Sequence, residues 1–497
     1  MADFELTSAP RRVRRKRLNK APEPRFKADI SGQLDAVAGC PEAFVPENHL
    51  ARSIRSILQQ IDFSSQERKY SSQGRHGYHP RHVVGALVYG SLVGVHESTK
   101  LARLLKTDAA ARLVSGGHAI SAGRLRAYRR ENEVFFSDAI QQTLKLAQQR
   151  GLLKPEELAI DSVRLRADAS QKAVRILSRS KKRLAELAAV DVKSLDADAR
   201  AAHEQKVEKH RASIRLCTEQ QRASVVTTSP SAGVMQFPSG GAAPGHRVTV
   251  VATGVRARLI LDVLVDSSNS DFGKFGPAML RAREALKAAG VPLDDRMQVA
   301  ADPGYFTRED LAFALNNKHW LDSLIDERRR HGTAQLPVEG AFTLDDFRRG
   351  ADNSMTCPAG RRMLGPYGAG QDLQRWVGDG CGTCGLKGKC TKARRRVVCL
   401  NVTSEIAREH MLRRMEQPDA RPRYHQRMAT VEPVFSVLED EMGFRRVNSR
   451  KEIAVRAEIL LKVFAYNVRR LIDAKRRLRH VRMFVAHDVP LALPRAA

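Results

Sequence analysis

Asp302 ends the apolar run Val299-Ala-Ala301 and stands against Pro303-Gly304 within Ala-Asp-Pro-Gly-Tyr-Phe at residues 301–306. An acid in that setting is presented at an exposed strand tip, where it can hold a metal ion. Asp161 lies inside the strand-like run Leu158-Ala-Ile-Asp-Ser-Val-Arg-Leu-Arg-Ala-Asp168, and Glu432 ends the helix-compatible run Arg427-Met-Ala-Thr-Val-Glu432. Hard divalent cations take carboxylate oxygens, and two-metal attack on a phosphodiester needs at least one fixed carboxylate per ion. Three acids far apart in sequence suit such a site assembled by folding, with Mg²⁺ or Mn²⁺ as the cofactor. Asp168 is a rival to Asp161, although its seven-residue offset puts it on the opposite face of a strand that runs so far. Asp262 and Asp266 are lesser rivals.

A second constellation is made of thiols. Cys381-Gly-Thr-Cys384 between glycines forms a tight knuckle whose thiolates converge on one tetrahedral ion, and Cys357 and Cys390 complete a four-sulfur set. Cys399 competes for the fourth place, and Cys390 is preferred because it belongs to the compact knuckle. A closed four-thiolate site holds structural Zn²⁺ rather than a catalytic ion. The odd total of seven cysteines also argues against a secreted disulfide framework.

The elements that must position these groups follow from composition and periodicity. With 497 residues and 42% apolar content, the chain is expected to form two or three domains with real cores. The 85 basic residues against 55 acidic ones, a formal charge of +30, point to a polyanion, with DNA as the default partner. The longest uncharged apolar-rich run, Val83 to Val95, is shorter than the roughly 20 residues that span a bilayer, so no membrane association is expected. The N-terminus lacks the order of a signal peptide, so the protein is expected to remain in the cytoplasm where it is made. A basic, disordered arm is expected over 1–45 and a helical DNA-binding domain over 46–152. In that domain Ser121 caps a segment whose polar side shows Arg124, Arg126, Arg129 and Arg130, a candidate recognition helix of a helix-turn-helix. The runs Leu158–Asp168, Val248–Ala252, Leu259–Val265 and Met297–Ala301 read as strands, with a helix over 279–289 between the last two. The order strand, hairpin, helix, strand predicts a mixed α/β sheet with helices on its faces over 153–335, interrupted by a charged helical insertion at 171–224. The cysteine-rich segment spans 336–405, a helical part bearing Glu432 spans 406–475, and a basic tail spans 476–497.

Several of these segments resemble the bacterial insertion-sequence transposases that have a ribonuclease-H-like DDE core and a cysteine-rich insertion before the final Glu. Gly77-Tyr-His-Pro-Arg81 and the apolar run after it resemble that family's N-terminal helical domain. Ala159-Ile-Asp-Ser-Val-Arg-Leu-Arg-Ala-Asp-Ala-Ser170 resembles the segment with the first catalytic Asp, which selects Asp161 over Asp168. Ala301–Phe306 looks like the second-Asp motif, and Arg427–Phe435 looks like the segment with the catalytic Glu. The resemblance implies Asp161, Asp302 and Glu432 as metal ligands, and Tyr424 and Arg427 as contacts to transposon-end phosphates. It also implies a zinc-ribbon-like insertion and a homodimer that holds two terminal inverted repeats during cleavage and strand transfer. Glu439 departs from the family pattern, which has Lys there. That departure keeps open a DNA-binding remnant that no longer cuts, beside a nuclease of the same fold without strand transfer.

Overall fold

The structure, a computed structural model, describes residues 24–34, 40–293, 296–327, 342–368, 370 and 372–487, of which 476–487 by backbone alone. Its centre is a mixed sheet. The strands are β1 (Leu158–Arg166), β2 (Gly233–Gln236), β3 (Ala242–Thr253), β4 (Leu259–Asp266), β5 (Met297–Ala301) and β6 (Leu321–Ile325). The spatial order is β2-β3-β1-β5-β6, with β4 also paired to β3. β3 runs antiparallel to β1 and to β4, whereas β1, β5 and β6 are mutually parallel. Leu158, Ala159 and Ile160 are buried, as are Met297, Val299, Ala300 and Ala301. Continuous apolar runs of this kind belong to strands covered on both faces. The parallel pairs need crossovers, and two helices supply them: α9 (Phe275–Ala288) between β4 and β5, and α10 (Arg308–Asn316) between β5 and β6.

The first eight labelled helices precede that crossover. Six lie before β1: α1 (Leu50–Leu58), α2 (Pro80–Leu92), α3 (Ser98–Thr107), α4 (Ala109–Val114), α5 (Ala122–Glu131) and α6 (Glu133–Gln148). The charged insertion is a hairpin of α7 (Leu177–Ala188) and α8 (Ala197–Glu219), standing on a short pair of strands, Val174–Ile176 and Ser224–Val226. After the sheet come α11 (Val402–Met415), α12 (Ala420–Ser436) and α13 (Glu452–His487).

The expected boundary between a domain at 46–152 and one at 406–475 falls inside a single hydrophobic core. α13 returns to the N-terminal helices and packs on α1, α2, α5 and α6. Leu461, Phe464, Ala465, Tyr466, Val468 and Leu471 are buried on every side of it, the mark of an interior helix. Asn467 joins the two regions: its Oδ1 accepts from the Ile260 N–H, and its Nδ2 donates to the Ile260 carbonyl and to Thr143 Oγ1. The tail expected from 476 is a continuation of α13 up to His487.

The arm expected over 1–45 is also corrected in part. Phe26 bridges to Gly77 and stacks on Tyr70 and His79, while Asp29 pairs with Arg55. These contacts tie residues 24–34 to the helices, and the more basic stretch before residue 24 lies outside the described residues. The cysteine-rich segment forms its own small sheet, β7 (Leu364–Tyr367), β8 (Leu373–Val377) and β9 (Val397–Asn401), over a separate core of Phe347, Met355, Met363, Trp376 and Val398. No helix among the described residues is long and apolar enough to cross a membrane.

Candidate active site

β1 and β5 pair in parallel up to Ile160 opposite Ala301, so the next residues in line are Asp161 and Asp302. The two acids thus meet where β5 ends and its parallel pairing with β1 stops, while β1 itself runs on to Arg166 against β3. Asp161 Oδ1 accepts from the Ser162 N–H at 2.7 Å, and its Oδ2 accepts from Arg427 Nη1 at 3.0 Å. Burial pushes its carboxyl up to about 6. The Ser162 N–H and Arg427 oppose that rise, and Asp302 and Asp271 add to it. Asp302 caps the turn Pro303–Tyr305, its Oδ1 accepting from the Gly304 N–H at 2.7 Å. Its Oδ2 lies 3.8 Å from Arg427 Nη2.

A third aspartate joins them that the sequence reading does not name. Asp271, in the loop after β4, accepts from Ser162 Oγ at 2.6 Å and pairs with Arg247, whose side chain is 1% exposed. Arg247 fixes that loop by donating to the carbonyls of Ser268 and Asn269 and to Ser162 Oγ. A methyl group on Gly304 would sit 3.3 Å from both Asp271 Oδ2 and Asp302 Oδ1, so glycine leaves the two carboxylates room against the backbone. The available signal for Asp271 is its place: like Asp302, it follows shortly on a buried strand.

Glu432 is not brought to this cluster. It is exposed on α12, and its carboxylate makes no hydrogen bond or ion pair among the described residues. Five residues beyond Arg427, it points about 140° away around the helix, because successive helical residues are about 100° apart. Glu439 lies in the π-helical turn Val437–Glu441, its carboxyl raised by burial and opposed by Arg445. The rival acids are engaged elsewhere. Asp168 pairs with Arg446 and Arg450, Asp262 with Arg281, and Asp266 with Lys274.

The residues expected to face DNA divide by burial. Ser121 caps α5 by accepting from the Arg124 N–H. Arg126 and Arg130 are exposed one turn apart, and Arg124 is half-buried with its guanidinium on the Tyr70 hydroxyl. Arg129 is corrected: at 4% exposure it points inward, donating to the His96 carbonyl and lying 4.0 Å from the buried Glu458. Tyr424 is half-buried, its ring one helical turn before the Arg427 guanidinium.

Cys357, Cys381, Cys384 and Cys390 line one small cavity together with Arg396, whereas Cys399 is exposed on β9 opposite Arg375. Burial raises the Cys390 thiol, Arg396 lowers it, and the other three sulfurs raise it further. Such crowding of groups that ionise to anions suits a bound cation. Among the described residues, no three His, Cys, Asp or Glu side chains are arranged to hold a metal ion.

Two family models match the chain, and both describe transposases: a transposase DDE domain over residues 356–472 and a transposase domain (DUF772) over residues 40–122. Together they support assignment of the chain to the insertion-sequence DDE transposases. The first match takes in the cysteine-rich segment, Arg427 and Glu432, and the second takes in the N-terminal helices up to the start of α5. Asp161, Asp271 and Asp302 lie between the two. No curated protein matches the chain, and no solved structure does.

Proposed function

We propose that the chain binds double-stranded DNA at the terminal repeats of its element and cleaves and transfers strands at the Asp161–Asp302 site. The observation that carries this reading is the register of β1 and β5, which sets two acids from distant segments side by side at a strand end. A core sheet with three parallel strands, an antiparallel neighbour and two crossover helices supports the ribonuclease-H-like reading of the fold. The donor set fits a hard divalent cation, because Asp161 and Asp302 offer carboxylate oxygens side by side, and Asp302 adds to the rise that burial causes in the Asp161 carboxyl. When bound, Mg²⁺ or Mn²⁺ supplies a lowered pKa for the attacking water or 3′ hydroxyl and charge stabilisation for the leaving oxygen. The chain's own residues do the rest. Asp161 and Asp302 orient that cation, Arg247 and Ser162 hold Asp271 beside them, and the basic surface holds the phosphates. Dimerisation belongs to the same reading, since two ends must be held together.

Metal-dependent nicking of a duplex that carries the element's end, followed by joined products, tests this function. Nicking without joined products would favour a nuclease. The exposed Glu432 and the Glu439 substitution favour a remnant that binds DNA without cutting, and binding with no nicking would establish it. The +30 charge predicts that DNA affinity falls by roughly 10³–10⁵ between 50 and 200 mM salt, as expected if about 6–10 phosphates are contacted. Fluorescence anisotropy across that range checks it, and a flat response would remove the electrostatic account.

The four cysteines are proposed to bind one structural Zn²⁺. Cys381→Ser is expected to lose the metal by elemental analysis and to expose Trp376, which is fully buried in the small core. With Trp320, the other tryptophan, replaced by Phe, a red-shifted emission reports that local unfolding directly. A protein purified without chelator that contains no zinc would contradict the assignment.

A further inference from the structure

Three arginines of α12 reach aspartates of the sheet. Arg423 pairs with Asp322 on β6 and with Asp419, and Arg421 pairs with Asp326 just beyond β6. These two pin the helix to the edge strand. Arg427 differs, because its partners are the site acids themselves. One guanidinium nitrogen donates to Asp161 Oδ2 at 3.0 Å and the other lies 3.8 Å from Asp302 Oδ2, so a single cation bridges the two carboxylates. Its side chain is 11% exposed, and its Nε is buried without a hydrogen-bond partner. The resting position therefore leaves Nε of the planar fork unused.

We propose that Arg427 is a built-in counter-cation that occupies the divalent ion's place between Asp161 and Asp302, and that bound DNA phosphate draws it off, which couples metal loading to DNA binding. The inference rests on the two-aspartate site proposed above and adds a control on when that site is filled. The physical basis is competition for charge. Two carboxylates this close repel each other and require positive charge between them. In the free protein a monovalent guanidinium provides it, delocalised and fixed to a helix. A phosphodiester offers the same fork two oxygens in matching geometry, and a guanidinium forms its strongest hydrogen bonds with such an anion. Once Arg427 has turned to phosphate, the paired acids are left with excess negative charge that a divalent ion satisfies better than any side chain. The metal would then be held weakly until DNA is present, which restrains phosphodiester cleavage away from a bound substrate.

The test is Mn²⁺ binding to the full chain, read by electron paramagnetic resonance of free ion and by calorimetry, without and with a short DNA duplex at low salt. Without DNA, Arg427→Ala and the helix-preserving Arg427→Gln are expected to bind Mn²⁺ more tightly than wild type. DNA should tighten Mn²⁺ binding by wild type about 5–150-fold, the usual range for coupling between two ligands, and should tighten binding by the variants far less. Because coupling is reciprocal, Mn²⁺ must strengthen DNA binding by wild type by the same factor. Equal Mn²⁺ affinity of wild type and both variants without DNA, or equal tightening by DNA in all three, would overturn the counter-cation role and leave the metal site standing. Mn²⁺ binding that survives Asp161→Asn and Asp302→Asn, or is absent from every protein with and without DNA, would overturn the site and the proposal together.

Discussion

Asp161→Asn is expected to abolish strand cleavage and to stabilise the fold. Loss of one of two carboxylates that orient the catalytic cation should lower the cleavage rate by at least about 10³-fold, roughly 4 kcal/mol of transition-state stabilisation. The stability effect follows from linkage. The Asp161 carboxyl is raised from 3.8 to about 6, so between those values the folded chain binds more protons than the unfolded one. Stability therefore falls as pH rises through that window, and by pH 7 the full cost of the buried charge is present. About two pKa units correspond to about 3 kcal/mol, which Asn removes while keeping an oxygen for Arg427 to donate to. Denaturant unfolding at pH 7 and pH 4 checks it: the gain should be present at pH 7 and vanish near pH 4. Asp302→Asn should match the loss of cleavage. A parallel Glu432→Gln variant then decides whether the exposed Glu432 takes part, and cleavage as fast as wild type would leave the chemistry to the aspartates.

Lys462 should make stability rise with pH above neutrality. It is 2% exposed on α13, donates to Ser91 Oγ at 3.0 Å and contacts His96 Nδ1. Burial lowers its ammonium from 10.5 to about 7, opposed by Glu458 and reinforced by Arg129. Below pH 7 both folded and unfolded chains carry the proton, and the cost of the buried charge is fully present. Between about 7 and 10.5 the unfolded chain holds the proton and the folded one does not, so stability should rise by up to about 1.4 kcal/mol per pH unit. Lys462→Met should remove that slope. The difference between the two proteins, measured by denaturant unfolding from pH 6 to 10, isolates this group from all the others. Glu458 must be kept intact in the comparison: it accepts from the Asn448 N–H and Nδ2 and from Ser449 Oγ, and its loss would leave Arg129 buried without a carboxylate.

The reading from sequence succeeds where a local pattern carries the physics. Apolar runs with turn residues at their ends locate β1, β3, β4 and β5, because strand periodicity and burial are written within each run. Asp161 and Asp302 are legible for the same reason, each being the first acid after a buried stretch. The cysteine cavity follows from spacing alone at the knuckle, where Gly380 takes a left-handed conformation that only glycine adopts without strain. Arg124, Arg126, Arg129 and Arg130 show the limit: four arginines on one short helix look alike, and only the return of α13 decides that Arg129 is interior.

What folding adds is long-range pairing. Charge, the acids that follow buried runs, the thiol cluster and the transposase-like segments are all properties of short stretches, so amino-acid order alone defines them. That Asp271 rather than Glu432 stands beside Asp161 and Asp302 depends on Arg247 reaching across from β3 and on the angle at which α12 lies over the sheet. That Arg427 bridges two aspartates joins segments 266 residues apart in one ion pair. Such contacts are set by the register of neighbouring strands and the rotation of a packed helix, where a shift of one residue reverses which side chain faces the site. No local periodicity encodes that choice, because it is made by the packing of the whole core.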